Sequence, residues 1–528
     1  MTKTYQSFST RQTLQSQPIP GSDQVKNQAG GYAWQIDDWQ RLERFLILGS
    51  EGGTYYVGEQ KLTCQSGEAT LRCIRTDGRR AVAQIAEVSE AGRAPKNEPA
   101  LFALAMALKL GDWTTRKAAA EALPRVARTG THLLHFCAYM EQFGGWGRIA
   151  RTAIANWYNG KEADALAYQV AKYPQRDGWS HRDVLRLSHP RPASEQRDQL
   201  YRHITGKRVA NEKLPAIIGA MLEARTANEK TIVRLIRDGG LTREMLPTEC
   251  LNSIAVWEAL LESMPLTAMI RNLGKMTSIG LVKPMSQAAG KVIAELDNTE
   301  RLHKARVHPV QILAAIMTYK TGKGYRGRLS WSPVSQVVDA LDRAFYASFG
   351  NVVTTGKRYC FGLDVSGSMA GTQVNGIPFL SCRSACGAMA LVSAAREPNN
   401  LFVAFDTQAY NLAISSRQRL DDVTRILQQT GGGGTDCAIP IAYAYHAQIP
   451  IDMFVVLTDS ETWWGKIHPA QAMQEYRQRI GMPAKLAVVA MSATQTTLAD
   501  PQDAGQINFV GFDTATPQLI SDFAASDH

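Results

Sequence analysis

The stretch Arg358-Tyr-Cys-Phe-Gly-Leu-Asp364-Val-Ser366-Gly-Ser368-Met369 decides how the later part of the chain folds. A short apolar run of β-type residues ends in Asp364, two serines follow at two-residue spacing, and a Gly/Ala-rich helical segment comes next. That order predicts a strand, a tight turn and a helix. In a parallel α/β sheet ligands gather in the crevice beyond the strand ends, so Asp364, Ser366 and Ser368 fall where a site forms. One carboxylate and two hydroxyls are hard oxygen donors, suited to Mg²⁺ or Mn²⁺ and poorly suited to Zn²⁺.

Two later segments extend this donor set. Thr435, after the run Gly431 to Gly434, adds a hydroxyl on a flexible backbone, and Asp459 ends the apolar strand Met453 to Thr458 with a second carboxylate. Together Asp364, Ser366, Ser368, Thr435 and Asp459 resemble the metal-ion-dependent adhesion site of von Willebrand factor A domains. The competing reading is a serine-rich turn followed by an unrelated glycine loop. After Lys357 strands and helices alternate, with strands at 359–363, 401–405, 453–458, 487–491 and 507–511 and helices such as 423–429 and 470–480. Such alternation predicts a doubly wound, mostly parallel, Rossmann-like sheet.

The 528 residues allow two to four domains with large cores. Apolar windows are too short for a membrane span, and the opening residues have no hydrophobic centre, so neither a membrane anchor nor a signal peptide is expected and the protein reads as cytoplasmic. Eight cysteines include no Cys-x-x-Cys pair, and reduced thiols fit that compartment. Charge is unevenly shared. Residues 351–528 hold 11 Lys/Arg against 15 Asp/Glu, which leaves 47 against 33 for residues 1–350. The first part is thus +14 and the second −4. A basic first part points to a polyanionic partner, with an uninvolved basic surface as the plain alternative.

Residues 1–28 are polar and read as an arm or disordered leader. From 29 to 355 the pattern is helical, with apolar faces such as Leu101, Leu104, Ala105 and Leu108 or Val334, Val337, Val338, Leu341 and Phe345, and with almost no strand signal. Helix pairs recurring at intervals of roughly 30–45 residues fit a HEAT-type α-solenoid. Residues 356–528 form the second domain.

Three places in the helical part carry cations among aromatics or small residues. In Lys172-Tyr-Pro-Gln-Arg176-Asp-Gly-Trp-Ser180, Ser180 caps a helix with Asp183 at its third position, and Pro190 stops it. Arg182, Arg186 and His189 share a face of that helix, with Lys172 and Arg176 just before it, a pattern able to grip phosphates and stack on bases. The alternative is a solvated cationic face over core aromatics. The segment 320–331, with Lys320, Lys323, Arg326 and Arg328, is a further candidate whose alternative is a surface linker, and 271–277, with Arg271 and Lys275, is a weaker one, where small residues let phosphate oxygens approach the backbone. His132 and His135 sit in an apolar helical stretch and read as structural.

Several strings are unusual. They are Arg44-Phe-Leu-Ile-Leu-Gly-Ser-Glu-Gly-Gly-Thr-Tyr-Tyr56, the segment from Trp179 to His189, Met264 to Met276, Gly432-Gly-Gly-Thr-Asp436 and Val510-Gly-Phe-Asp513. With the order of domains they resemble the Ro autoantigen family, whose helical part is the TROVE module, and the short polar extremities fit a bacterial member. The resemblance implies a ring of helical repeats clasped by the A domain. It implies binding of small non-coding Y RNAs outside the ring and of 3′ single-stranded ends of misfolded non-coding RNAs in its hole. It also implies RNA quality control with a 3′ exonuclease such as polynucleotide phosphorylase, the protein being a monomer within an RNA–protein complex. The family's RNA-contacting Lys, Arg and His match at Lys172, Arg176 and His189. Pro174, between the two cations, is expected to bend the local helix.

Two other functions compete with an RNA-binding scaffold. In the first, the A domain is chiefly a metal-dependent docking module whose open coordination position takes an acidic side chain of a protein ligand. In the second, the site is hydrolytic. Two-metal hydrolysis needs more clustered carboxylates than Asp364 and Asp459, and no Walker lysine follows Gly434, so no enzyme activity is expected.

Overall fold

The computed structural model describes residues 12–324, 328–349, 353–374, 377, 380–415 and 417–526. Residues 1–11 of the polar leader, Tyr325 and Arg326 of the second basic segment, and 350–352 near the domain boundary lie outside the described residues. The strands in chain order are β1 (Val25–Lys26), β2 (Tyr32–Gln35), β3 (Gln175–Arg176), β4 (Trp179–Ser180), β5 (Tyr359–Asp364), β6 (Asn400–Phe405), β7 (Ala409–Asn411), β8 (Met453–Thr458), β9 (Lys485–Ala490), β10 (Thr496–Thr497) and β11 (Gln506–Val510).

Between Asp38 and Ala347 the chain is helical apart from the β3–β4 hairpin and loops. The faces read from the sequence are the ones that pack: Leu101, Leu104, Ala105 and Leu108, and Val334, Val337, Val338, Leu341 and Phe345, are all buried. Successive helices stack on their neighbours, and the row returns to its start. His308, capping the helix Pro309–Thr321, meets the Arg93 carbonyl at 3.0 Å, and the Gln311 side chain donates to the Pro95 carbonyl at 3.0 Å.

This closure depends on a neutral imidazole. His308 Nδ1 accepts the Val310 N–H at 3.1 Å, which leaves Nε2 to carry the proton toward Arg93, and burial pushes the pKa from 6.5 down to about 4. The unfolded chain therefore binds a proton that the folded one refuses. The contribution is intact above pH 6.5 and lost as pH falls toward 4. Going from pH 7 to pH 5 costs about 2 kcal/mol at this one group. Urea unfolding of His308→Gln is expected to show a pH dependence smaller by that amount.

The six-stranded sheet of the second domain has the order β11-β9-β8-β5-β6-β7, parallel except for β7, which pairs antiparallel with β6. Its inner strands β5 and β8 are buried throughout, as a sheet covered on both faces requires. Gly362 is required in β5, because a Cβ there would sit 2.6 Å from Pro440 of the covering helix. From β5 the chain moves to β6 on one side and returns to β8 on the other. The crevice of the sheet therefore opens at the carboxyl ends of β5 and β8.

Residues 12–28 are not a free arm. Gln15 is fully buried and donates to Asp436 and to the Ile467 carbonyl, both at 2.7 Å, Asn27 donates to the Thr462 carbonyl at 2.7 Å, and β2 pairs with β10. The polar side chains that make this segment look like a leader are the ones that satisfy buried polar groups of the second domain.

Cations from the helical part complete the join. The buried Arg44 donates to the carbonyls of Thr494 at 2.7 Å and Thr496 at 2.9 Å and to Asn508 Oδ1 at 2.7 Å. Arg93 forks onto Asp513 with contacts of 3.0 and 2.5 Å, and Lys320 pairs with Asp421. No helix among the described residues is long and apolar enough to cross a membrane.

Candidate functional site

Asp364, Ser366, Ser368, Thr435 and Asp459, the set expected to hold a metal, come together at the sheet crevice. Asp364, the last residue of β5, accepts from the Ser366 N–H at 2.9 Å and from the Thr458 hydroxyl at 2.6 Å. The hydroxyls of Ser366 and Ser368 lie 3.1 Å apart, and Asp459 Oδ1 accepts from the Glu461 N–H at 3.1 Å. The glycine loop is stitched to the serine turn by Gly367 N–H to the Gly433 carbonyl at 3.0 Å, and Arg383 bridges the Ser366 and Thr430 carbonyls at 3.0 and 3.1 Å. The Thr435 carbonyl accepts the N–H groups of Trp463 and Trp464 at 3.0 and 3.1 Å, which joins the glycine loop to the loop after Asp459. All five side chains are buried, none more than 2% exposed.

The donor set fits a hard divalent cation. Thr435 Oγ1 and Asp459 Oδ2 are buried without a hydrogen-bond partner, oxygens of the kind an ion would satisfy. Burial first, and then the Asp459 charge, push Asp364 up from the usual carboxylate range, and burial does the same to Asp459. Two adjacent buried carboxyls are costly when ionised unless a cation compensates them. Two carboxylates and three hydroxyls make an oxygen-only donor set, of the kind suited to Mg²⁺ or Mn²⁺ and poorly suited to Zn²⁺.

The first basic place is a hairpin joined to a helix. The helix Ala163–Lys172 ends before Pro174, so the proline bends no helix. It leads instead into β3, and the turn to β4 runs through Asp177 (φ 48°) and Gly178 (φ 79°), the left-handed pair a two-residue hairpin needs. The helix His181–Ser188 then starts on the Ser180/Asp183 capping box expected from the sequence and ends at His189, itself left-handed with φ 47°. Arg176, Arg182, Arg186 and His189 are exposed, and Lys172 is half-buried with its ammonium 3.0 Å from the Tyr168 hydroxyl and near the Tyr168 and Tyr173 rings. The hairpin is braced from below. Trp179 stacks on Trp146 at 5.2 Å, and the buried His135 pairs with Asp177. His135 thus keeps its structural role, now with a named partner. Arg182 also borders a groove of about 530 Å³ between Pro174, His203 and Arg225.

The other two basic places divide. Lys320 is taken up by Asp421 and Trp331 stacks on Tyr319 at 6.0 Å, so much of 320–331 joins domains or packs a core edge. Arg271 and Lys275 lie on the helix Leu266–Ser278 and face, with Arg243, a cavity of about 710 Å³. Lys275 also donates to Asn252 at 2.9 Å. Sequence reasoning missed Arg44 and Arg93, whose partners lie more than 400 positions away, and Thr458, which braces Asp364 from the neighbouring strand.

Comparison with known proteins agrees with this architecture. The TROVE domain family matches residues 25–240 and 233–318, and the Ro60 vWA domain family matches 358–524. The RNA-binding protein RO60 of Deinococcus radiodurans is 38% identical, the alignment covering 96% of each chain, and that of Caenorhabditis elegans is 34% identical over 95% of this chain and 90% of its own. The crystal structure of the Deinococcus radiodurans RO (RSR) protein superimposes with a TM-score of 0.70 over 93% of this chain and 99% of that one. With a TROVE solenoid, a Ro60-type A domain and these relatives along nearly its whole length, the chain belongs to the Ro family.

Proposed function

We propose that this protein is the RNA-binding scaffold of a cytoplasmic Ro ribonucleoprotein. A structured Y RNA lies on the outer face of the helical ring, gripped by Lys172, Arg176, Arg182, Arg186 and His189. Single-stranded 3′ ends of misfolded non-coding RNAs enter the hole, and the captured RNA passes to a 3′ exonuclease of the polynucleotide phosphorylase type. Residues 29–355 carry the RNA, and 356–528 carry a Mg²⁺ or Mn²⁺ site that attaches rather than cuts. The observation that supports this most is the hairpin–helix unit at 175–189, which exposes the three cations Arg176, Arg182 and Arg186, with His189, around a braced aromatic base. The relatives named as RNA-binding proteins point the same way.

The reading separates RNA binding from the metal. Chelating divalent ions with EDTA is expected to leave the affinity for a structured RNA unchanged within about twofold. End-labelled RNA incubated with the protein and Mg²⁺ is expected to stay intact. Loss of binding on chelation, or the appearance of cleavage products, counts against it. The alternative of an A domain that docks an acidic protein ligand on a bound metal meets one obstacle, which is that all five candidate metal-holding residues are buried.

A further inference from the structure

The cationic hairpin carries a carboxylate at its tip. Asp177 is exposed next to Arg176, where a negative charge works against phosphate binding. The turn does not require it, since a left-handed position at φ 48° takes asparagine or glycine as well. Its contacts supply the reason. One oxygen, Oδ2, accepts from His135 Nδ1, and the other, Oδ1, lies 3.8 Å from Arg176 Nε. The acid at the tip thus links a buried ring to an arginine of the cationic surface.

His135 is a fixed post. It sits on the helix Gly130–Gln142, whose Leu133, Leu134, Phe136 and Cys137 are buried with it. An ionised carboxylate only accepts, so the shared proton stands on Nδ1. Nε2 is buried without a hydrogen-bond partner among the described residues, and Glu98 Oε1 is 3.8 Å from it. On the hairpin side, Trp179 stacks on Trp146, and Gln175 and Arg176 pair with Ser180 and Trp179. The strand pair therefore holds the backbone of Arg176, and Asp177 stands beside its side chain. An exposed Arg–Asp pair on its own orders little, because both side chains are free to leave it. Anchoring one partner to the core removes part of that freedom before RNA arrives, which lowers the ordering cost that binding would otherwise carry.

We propose that His135 is a positioning residue for RNA binding: it holds Asp177, and Asp177 turns the Arg176 guanidinium toward the phosphate chain of a structured RNA. This rests on the reading of Arg176 as a phosphate contact. It goes beyond bracing, because the hairpin backbone has its own supports in the Asp177-Gly178 turn and the Trp146–Trp179 stack. Charge alone disfavours a carboxylate here, so a carboxylate that only sits nearby would weaken RNA binding. One that aims Arg176 strengthens it, and the two roles predict opposite effects of neutralising Asp177.

The test is filter binding of a duplex-containing RNA to the full-length protein at one salt concentration, with thermal unfolding of every variant. Arg176→Ala is expected to bind about fivefold more weakly, and His135→Leu to a similar degree. His135→Asn, which places an amide N–H at the same remove from the backbone as Nδ1, is expected to recover most of the loss. Asp177→Asn keeps the left-handed turn and is expected to weaken binding about threefold, although it removes a negative charge. In the Arg176→Ala background, His135→Leu and Asp177→Asn should each change affinity by less than about twofold. Tighter RNA binding by Asp177→Asn, unchanged affinity in His135→Leu, or a His135→Leu loss that recurs in full on top of Arg176→Ala overturns the proposal and leaves the RNA surface standing. If Arg176→Ala binds RNA as the unaltered protein does, both fall. Should His135→Leu melt early, Asp177→Asn decides by itself, since it alters an exposed residue.

Discussion

Replacing Arg176, Arg182 and Arg186 together with alanine is expected to weaken binding of a structured RNA about 100-fold at physiological salt. Each guanidinium is exposed, and neither Arg182 nor Arg186 makes an ion pair among the described residues, so little of its charge is spent inside the protein. A lost phosphate contact of this kind costs about 1 kcal/mol, between an exposed ion pair and a fully formed charge-assisted hydrogen bond. Three of them give about 3 kcal/mol, hence the factor of about 100. The fold should not notice. Arg176 leaves a hairpin whose turn is set by Asp177 and Gly178, and the helix keeps the Ser180 cap and its buried Val184 and Leu185. Unchanged thermal unfolding with a large loss of affinity in a filter-binding or gel-shift titration is the signature, whereas unchanged affinity would remove this surface from the interface.

Arg44→Met carries the largest expected effect on stability. The native side chain is 1% exposed and satisfies two carbonyls and an amide oxygen of the other domain. Burial lowers its pKa to about 9, still far enough above neutrality for it to remain charged, with Glu461 supporting that charge. Methionine fills part of the volume but donates nothing, and stranding buried acceptors of this kind costs about 3–5 kcal/mol. Lysine should recover little, since one ammonium cannot span three acceptors as a planar guanidinium does. Because the residue joins two domains, the loss is expected as an earlier separate transition in calorimetry and as proteolysis near residues 494–508, rather than as a uniform shift.

How much of this was written legibly in the chain depends on the range of the interaction. β5 and β8 could be read nearly to the residue, because a strand buried on both faces is a continuous apolar run with polar residues only at its end. The convergence of Asp364, Ser366, Ser368, Thr435 and Asp459 was legible for the same reason, since they follow strand tips or a glycine run. The Ser180 cap was legible because its partner Asp183 is three residues away. The β3–β4 hairpin was missed although Asp177-Gly178 is a strong turn signal, since two-residue strands have no periodicity to find. Lys320 looked like a phosphate contact, and only the fold reveals Asp421 opposite it. Residues 12–28 looked like a leader because polarity on its own does not distinguish water from buried polar partners such as Asp436.

The salt dependence of RNA affinity tests the central claim most directly. If Lys172, Arg176, Arg182, Arg186 and His189 meet phosphates, the binding constant for a duplex-containing RNA should fall with added salt with a log–log slope of about −4, and Lys172→Ala with Arg176→Ala should reduce its magnitude by about 2. A slope shallower than about −1, or one that the double substitution leaves unchanged, would contradict a cationic surface that holds RNA by its backbone.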